Sequence, residues 1–206
     1  DVVLDGKGKV ALPGMVNLHT HSPMTLLRGF GDDLPLQQWL ERKVWPQEAK
    51  LRPEDIYWGA KLACLEMIKS GTTTFLDMYF HMDQAGTAAN EMGLRGFLAE
   101  GIIDLGIPSR AEAQLQAAEA ANRKIEALRS PRITPVLGPH AIYTVSEPTL
   151  TRVREIADKK GYLIHAHLSE TRREVDDCMA QHGARPGAYL DRLGFLAKDV
   201  IVAHGC

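Results

Sequence analysis

Short apolar or β-branched runs alternate along the chain with longer stretches whose apolar residues recur at helical spacing. The short runs fall at Met15–Thr20, Thr72–Met78, Arg95–Ile102, Ile133–Pro139, Leu163–Leu168 and Val200–Ala203. Their near-continuous apolar character is that of strands buried on both faces. Between them, Pro53–Ser70 sets Ile56, Ala60, Ala63, Met67 and Ile68 on one face and stops at Gly71, a residue type that ends helices. Ala111–Leu128 is rich in the helix formers Ala, Glu, Gln and Leu, and Ser146–Lys160 opens on Ser146, a candidate N-cap. Repeated strand–helix units predict an α/β fold with a parallel sheet and helices outside it. A closed barrel of TIM type, (β/α)8, has eight strands. The expected fold is such a barrel over residues 13–206 with about six strands present and the C-terminal strands absent. Residues 1–12, with Asp5-Gly6-Lys7-Gly8 between short apolar runs, read as a hairpin from a small β-structure ahead of the barrel.

Composition narrows the function. The 206 residues include 24 Lys+Arg and 26 Asp+Glu, a net charge of −2, and 45% are hydrophobic, as in ordinary globular domains. No basic block provides an electrostatic footprint for nucleic acid or an anionic membrane surface. No apolar run reaches the roughly 18–20 residues of a membrane span, and no basic-then-apolar segment opens the chain, so a cytoplasmic protein is expected. Cys64, Cys178 and Cys206 are odd in number and lie far apart, a spacing for neither a disulfide framework nor a thiolate zinc site. Gly138-Pro139-His140 and Gly71-Thr72-Thr73-Thr74 lack the spacing of a phosphate-cradling loop.

The histidines carry the candidate chemistry. His19 and His21 form an H-x-H pair at the end of the first strand, where a side-chain period of two aims both rings to one side. His140, His167 and His204 lie at or near the ends of the fourth, fifth and sixth strands, where a parallel barrel gathers its active site. Any one of them could be a hydrogen-bonded core residue. Independent core histidines, however, have no reason to select strand C-termini. A nitrogen-rich cluster without thiolates suits Zn²⁺, with Fe²⁺, Mn²⁺ or Co²⁺ as alternatives. His165 lies two residues deeper than His167 and reads as a supporting or core residue, whereas His81 and His182 are expected on the surface. Glu170, three residues past His167, is placed to move a proton between water and substrate. Asp77 and Asp104 are expected to be structural, the latter equally readable as a solvated turn residue.

These motifs resemble the amidohydrolase superfamily. Leu12-Pro13-Gly14-Met15-Val16-Asn17-Leu18-His19-Thr20-His21 carries its Pro-Gly-x-x-x-x-His-x-His signature. Asp32-Asp33-Leu34-Pro35-Leu36 and Trp45-Pro46-Gln47-Glu48 narrow it to the 5-methylthioadenosine/S-adenosylhomocysteine deaminases and their chlorohydrolase relatives, with further matches at Gly138-Pro139-His140-Ala141, His165-Ala166-His167-Leu168-Ser169-Glu170-Thr171 and Ala203-His204-Gly205-Cys206. The resemblance implies one metal ion, Zn²⁺ with Fe²⁺ or Mn²⁺ as alternatives, held by His19, His21 and His167 and closed by an aspartate on an eighth strand. It implies catalytic roles for Glu170 and His204 and substrate contacts from Glu48, His140 and, for the substrate tail, Arg110. Binuclear members use a lysine on the fourth strand, and no lysine occurs between Ile133 and His140. The implied reaction is hydrolytic deamination of S-adenosylhomocysteine or 5-methylthioadenosine, with a small-molecule nucleoside as partner and a homo-oligomer left open. Deamination of guanine or another heterocycle, dechlorination of a triazine, or a non-catalytic metal-stabilised scaffold are the alternatives.

Overall fold

The computed structural model describes residues 2–3 and 5–206. Six strands form one sheet in sequence order: β1 (Met15–Thr20), β2 (Thr72–Tyr79), β3 (Arg95–Ile102), β4 (Ile133–Pro139), β5 (Leu163–Leu168) and β6 (Val200–His204). Every pairing is parallel. The connections hold α1 (Leu36–Trp39), α2 (Trp45–Glu48), α3 (Pro53–Ser70), α4 (Met82–Met92), α5 (Pro108–Ala127), α6 (Glu147–Lys160), α7 (Arg172–His182) and α8 (Pro186–Arg192). A 3₁₀ turn at Ser22–Leu27 and a π turn at Leu40–Val44 complete the segment between β1 and α3. This is the expected TIM-type α/β architecture, with six strands.

Side chains separate into an interior and an outer layer by strand parity. Leu76, Met78, Ala99 and Val136, with Phe97, Leu163 and Ile201, pack inside the curved sheet. Ile164, Leu168 and Val200 instead pack outward with residues of α6, α7 and α8, and Phe75 and Leu98 pack with α3 and α4. His165 and His167 share the inward parity of Leu163, which stacks them above the apolar floor.

Several boundaries differ from the sequence pattern for local reasons. Ile68 is 46% exposed while Ile56, Ala60, Ala63 and Met67 are buried, so the apolar face of α3 is narrower than predicted. The helix ends as expected at Gly71, whose φ of 84° is a left-handed cap. α5 starts three residues early, at Pro108, whose fixed φ and missing N–H suit the first turn. α4 buries Met82, Ala85, Gly86, Ala88 and Ala89, so beyond its first residue only small side chains mark its inner face. The turn at Lys7–Gly8 is present, with Lys9 N–H donating to Gly6 O, but its described flanks form no strand. Asp1 and Leu4 of the expected hairpin lie outside the described residues.

β1 and β6 each have one neighbour in the sheet, and Met15, Val16 and Leu18 of β1 are exposed. Among the described residues no helix is long and apolar enough to cross a membrane.

Candidate active site

The strand ends bring His19, His21 and His167 together, with one ring nitrogen of each within 4.8 Å of the others. His21 Nδ1 lies 2.6 Å from Met78 O, and His167 Nδ1 lies 2.8 Å from His140 O. A carbonyl oxygen only accepts, so both Nδ1 atoms carry the proton and both Nε2 atoms present bare lone pairs. Those two Nε2 atoms face each other at 3.4 Å. Two lone pairs at that separation repel unless a cation lies between them. The edge of a tetrahedral site with Zn–N bonds of roughly 2.0–2.1 Å is about 3.3–3.4 Å, so the donor set fits a zinc-like ion. Burial first, and then the neighbouring imidazoles, hold His19 down at about 3 and His167 at about 2. Both are therefore neutral near pH 7, the form that ligates metal.

A second ring of groups holds these side chains in place. His19 Nδ1 lies 3.0 Å from His165 Nε2, and His165 Nδ1 lies 2.9 Å from Ile201 O. Asp77 is fully buried and accepts from the Ser22 N–H at 3.0 Å and from the Ser22 hydroxyl, which anchors the chain directly after His21. His140 sits 2.8 Å from Thr144 Oγ1. Beneath it, a Cβ at Gly138 would lie 2.6 Å from Glu100 O, so only glycine fits between β3 and β4 there. Asp104 is wholly buried rather than a solvated turn residue. It accepts from Gly106 N–H at 2.6 Å and from the Ser146 hydroxyl at 2.8 Å, so Ser146 holds the expected N-cap position of α6 while its hydroxyl ties two loops together rather than bonding the helix backbone.

Glu170 and His204 stand at the mouth, with His204 Nε2 3.7 Å from Glu170 Oε1. By parity His204 would follow Val200 and Val202 outward. Its φ of 71° at the last residue of β6 breaks that parity, and its ring stacks on His167 at 5.4 Å between centroids. Glu170 is positioned by Glu174, a residue the sequence reading passed over. The Glu174 carboxylate accepts from Ser169 N–H at 2.9 Å and Glu170 N–H at 2.8 Å, while Thr171 Oγ1 accepts from Glu174 N–H. Thr171-x-x-Glu174 is a capping-box pattern, so a sequence signal for it was there.

Glu48 lies at the end of α2 and accepts from the Tyr79 hydroxyl at 2.7 Å. Burial raises its carboxyl, opposed by that hydrogen bond. It lines a cavity of about 80 Å³ with His21, Trp39, Tyr79 and His140. A larger groove of about 750 Å³ runs between Pro35–Gln38 and α7 and includes none of the strand-end histidines. Arg110 is exposed on the first turn of α5 and lines neither space, so the structure does not bring it to the other candidates. His81 is exposed as expected, whereas His182 is half-buried and stacks on Tyr189 with centroids 4.0 Å apart.

The family model for the amidohydrolase family matches residues 10–206. The chain belongs to that family. Over 205 residues this amidohydrolase chain is 53% identical to the 5-methylthioadenosine/S-adenosylhomocysteine deaminase of Thermococcus kodakarensis, covering 100% of the chain and 48% of the relative. It is 48% identical over 206 residues to the 5'-deoxyadenosine deaminase of Methanospirillum hungatei, covering 100% of the chain and 46% of that relative. Among solved structures, an adenosine deaminase from Xanthomonas campestris with bound zinc superposes with a TM-score of 0.84 at 39% identity, over 92% of this chain and 44% of that one. The amidohydrolase chain thus spans about half the length of the curated relatives it matches.

Proposed function

We propose that this chain carries most of the active site of a metal-dependent deaminase of adenosine-type nucleosides altered at the 5' position. The observation that carries this reading is the convergence of His19, His21 and His167 at the strand ends, beside Glu170 and His204. Relatives named for S-adenosylhomocysteine, 5-methylthioadenosine and 5'-deoxyadenosine support the substrate class. His19, His21 and His167 would hold a single Zn²⁺, with Fe²⁺ or Mn²⁺ as alternatives. Such an ion, when bound, lowers the pKa of water towards about 7 and polarises it for attack.

The chain's own residues handle the proton and the substrate. Glu170 takes a proton from the attacking water and delivers it to the ring nitrogen beside the reacting carbon. His204, within reach of Glu170, donates to or accepts from the oxygen that adds there. Water replaces the amino group, ammonia leaves, and the product is the inosine analogue. Glu48, an acceptor-only carboxylate when ionised, suits a pair of ribose hydroxyls, with Tyr79 fixing its orientation. His140 lines the same cavity and contacts the base. Arg110 remains the candidate for the 5' tail only if α5 or a bound ligand moves it inward.

The same reading assigns two further strands, one bearing the closing aspartate, to the free edges of β6 and β1. It also places residues 1–12 in a small β-domain and the protein in the cytoplasm. Replacing Glu170 by Gln tests the proton assignment. The variant should keep its metal and lose about 10²–10⁴ in rate. Full activity would remove Glu170 from the mechanism.

A further inference from the structure

We propose that His165 is a positioning residue for the metal centre, accepting the Nδ1 proton of His19 and so holding the His19 Nε2 lone pair towards His21 and His167. The role rests on reading those three histidines as ligands. Its logic begins on β6, where Ile201 O sits 2.9 Å from His165 Nδ1. The carbonyl can only accept, so the single proton of the neutral His165 ring is on Nδ1 and its Nε2 is bare. That bare nitrogen lies 3.0 Å from His19 Nδ1, which must then supply the proton between them. A neutral His19 with its proton on Nδ1 has its own Nε2 bare, matching the state that Met78 O and His140 O impose on His21 and His167.

The placement is specific. His165 is 0% exposed, and its register partner on β6 is Ile201, whose carbonyl it contacts. β1 and β6 do not pair with each other. The relay Ile201–His165–His19 is therefore a polar link from the β6 backbone to a side chain on β1, passing through the interior one layer above Leu163. A core position alone would call for an apolar residue, as at Leu163 two residues deeper and at Ile201 in register beside it. Direct ligation by His165 would need the same Nε2 that faces His19. Outer partners of metal-binding histidines fix ring orientation in this way and change metal affinity when lost.

The test compares His165→Phe, which keeps volume and removes both polar atoms, with His165→Gln, which retains one acceptor and one donor. Zinc affinity is measured on the whole protein by competition with a chromophoric chelator. His165→Phe should bind zinc about 10- to 100-fold more weakly, and His165→Gln should recover most of the loss. Nitrogen-15 NMR of the metal-free parent should show the His19 proton on Nδ1. Unchanged zinc affinity in a folded His165→Phe variant overturns the role, as does a parent in which His19 carries its proton on Nε2. The NMR result and His165→Gln decide the matter if His165→Phe does not fold. A parent that takes up no divalent metal overturns the ligand reading and the role together. Tight zinc binding lost in His19→Ala but untouched in His165→Phe overturns the role alone.

Discussion

Replacing Asp104 by Leu should destabilise the protein by about 3–5 kcal/mol, because the side chain is wholly buried and serves several donors at once. Its oxygens accept the Gly106 N–H at 2.6 Å, the Ser146 N–H at 3.1 Å and the Ser146 hydroxyl at 2.8 Å. Leucine fills a similar volume but offers no acceptor. Each donor left buried without a partner costs roughly 1–3 kcal/mol. The Gly106 N–H lies in an exposed turn and can turn to water, so the two Ser146 donors dominate the sum. Burial pushes the Asp104 carboxyl up, but hydrogen bonds from Thr149, Gly106 and Ser146 outweigh it and hold it below its ordinary 3.8. A depressed folded pKa means that this stabilisation is present above the unfolded value. It is lost as pH falls through the folded one. Urea unfolding of parent and variant, followed by circular dichroism, should give a constant gap from about pH 7 down to about pH 4 that narrows only below it. The loop that Asp104 anchors also carries Thr144, whose carbonyl accepts the Asp104 and Leu105 N–H groups and whose hydroxyl meets His140. KM should therefore rise in the variant. A stability loss under about 1 kcal/mol, or a gap that narrows above about pH 5, would refute the reasoning.

Two other perturbations test separate parts of the account. Glu48→Ala should lower kcat/KM for nucleosides by about 10- to 100-fold, the value of hydrogen bonds to a charged group, while leaving free bases nearly unaffected; equal losses on both would assign a substrate without ribose. A thiol reagent applied to the 206-residue chain should modify Cys206, which is exposed there, well before Cys64, which is buried with its thiol pushed up to about 12. Equal labelling rates would contradict the burial of Cys64.

Strand parity and the Pro-Gly-x-x-x-x-His-x-His run made the barrel and the three converging histidines legible, because both are local periodic signals. Four of the six strands have the limits the pattern predicts, and β2 and β6 each extend one residue further. α4 was illegible because, beyond Met82, its inner face offers only alanines and one glycine, residue types that mark a buried face weakly. His204 reaches the mouth only through a left-handed backbone turn that parity cannot register. The tie between Asp104 and Ser146 was illegible for a different reason. Each residue type favours exposed turns or helix caps, and only the meeting of two loops, forty-two positions apart in sequence, joins a buried carboxylate to a half-buried serine. Arg110 came from family resemblance alone, and the exposed first turn of α5 gives it no partner at the site.

Ammonia release by the whole protein, metal-loaded and after chelation, from S-adenosylhomocysteine, 5-methylthioadenosine and 5'-deoxyadenosine, tests the central claim most directly. The account predicts release from at least one of the three by the loaded protein, abolished by the chelator and restored by zinc. Silence on all three with zinc bound, or release that chelation leaves unchanged, would contradict it.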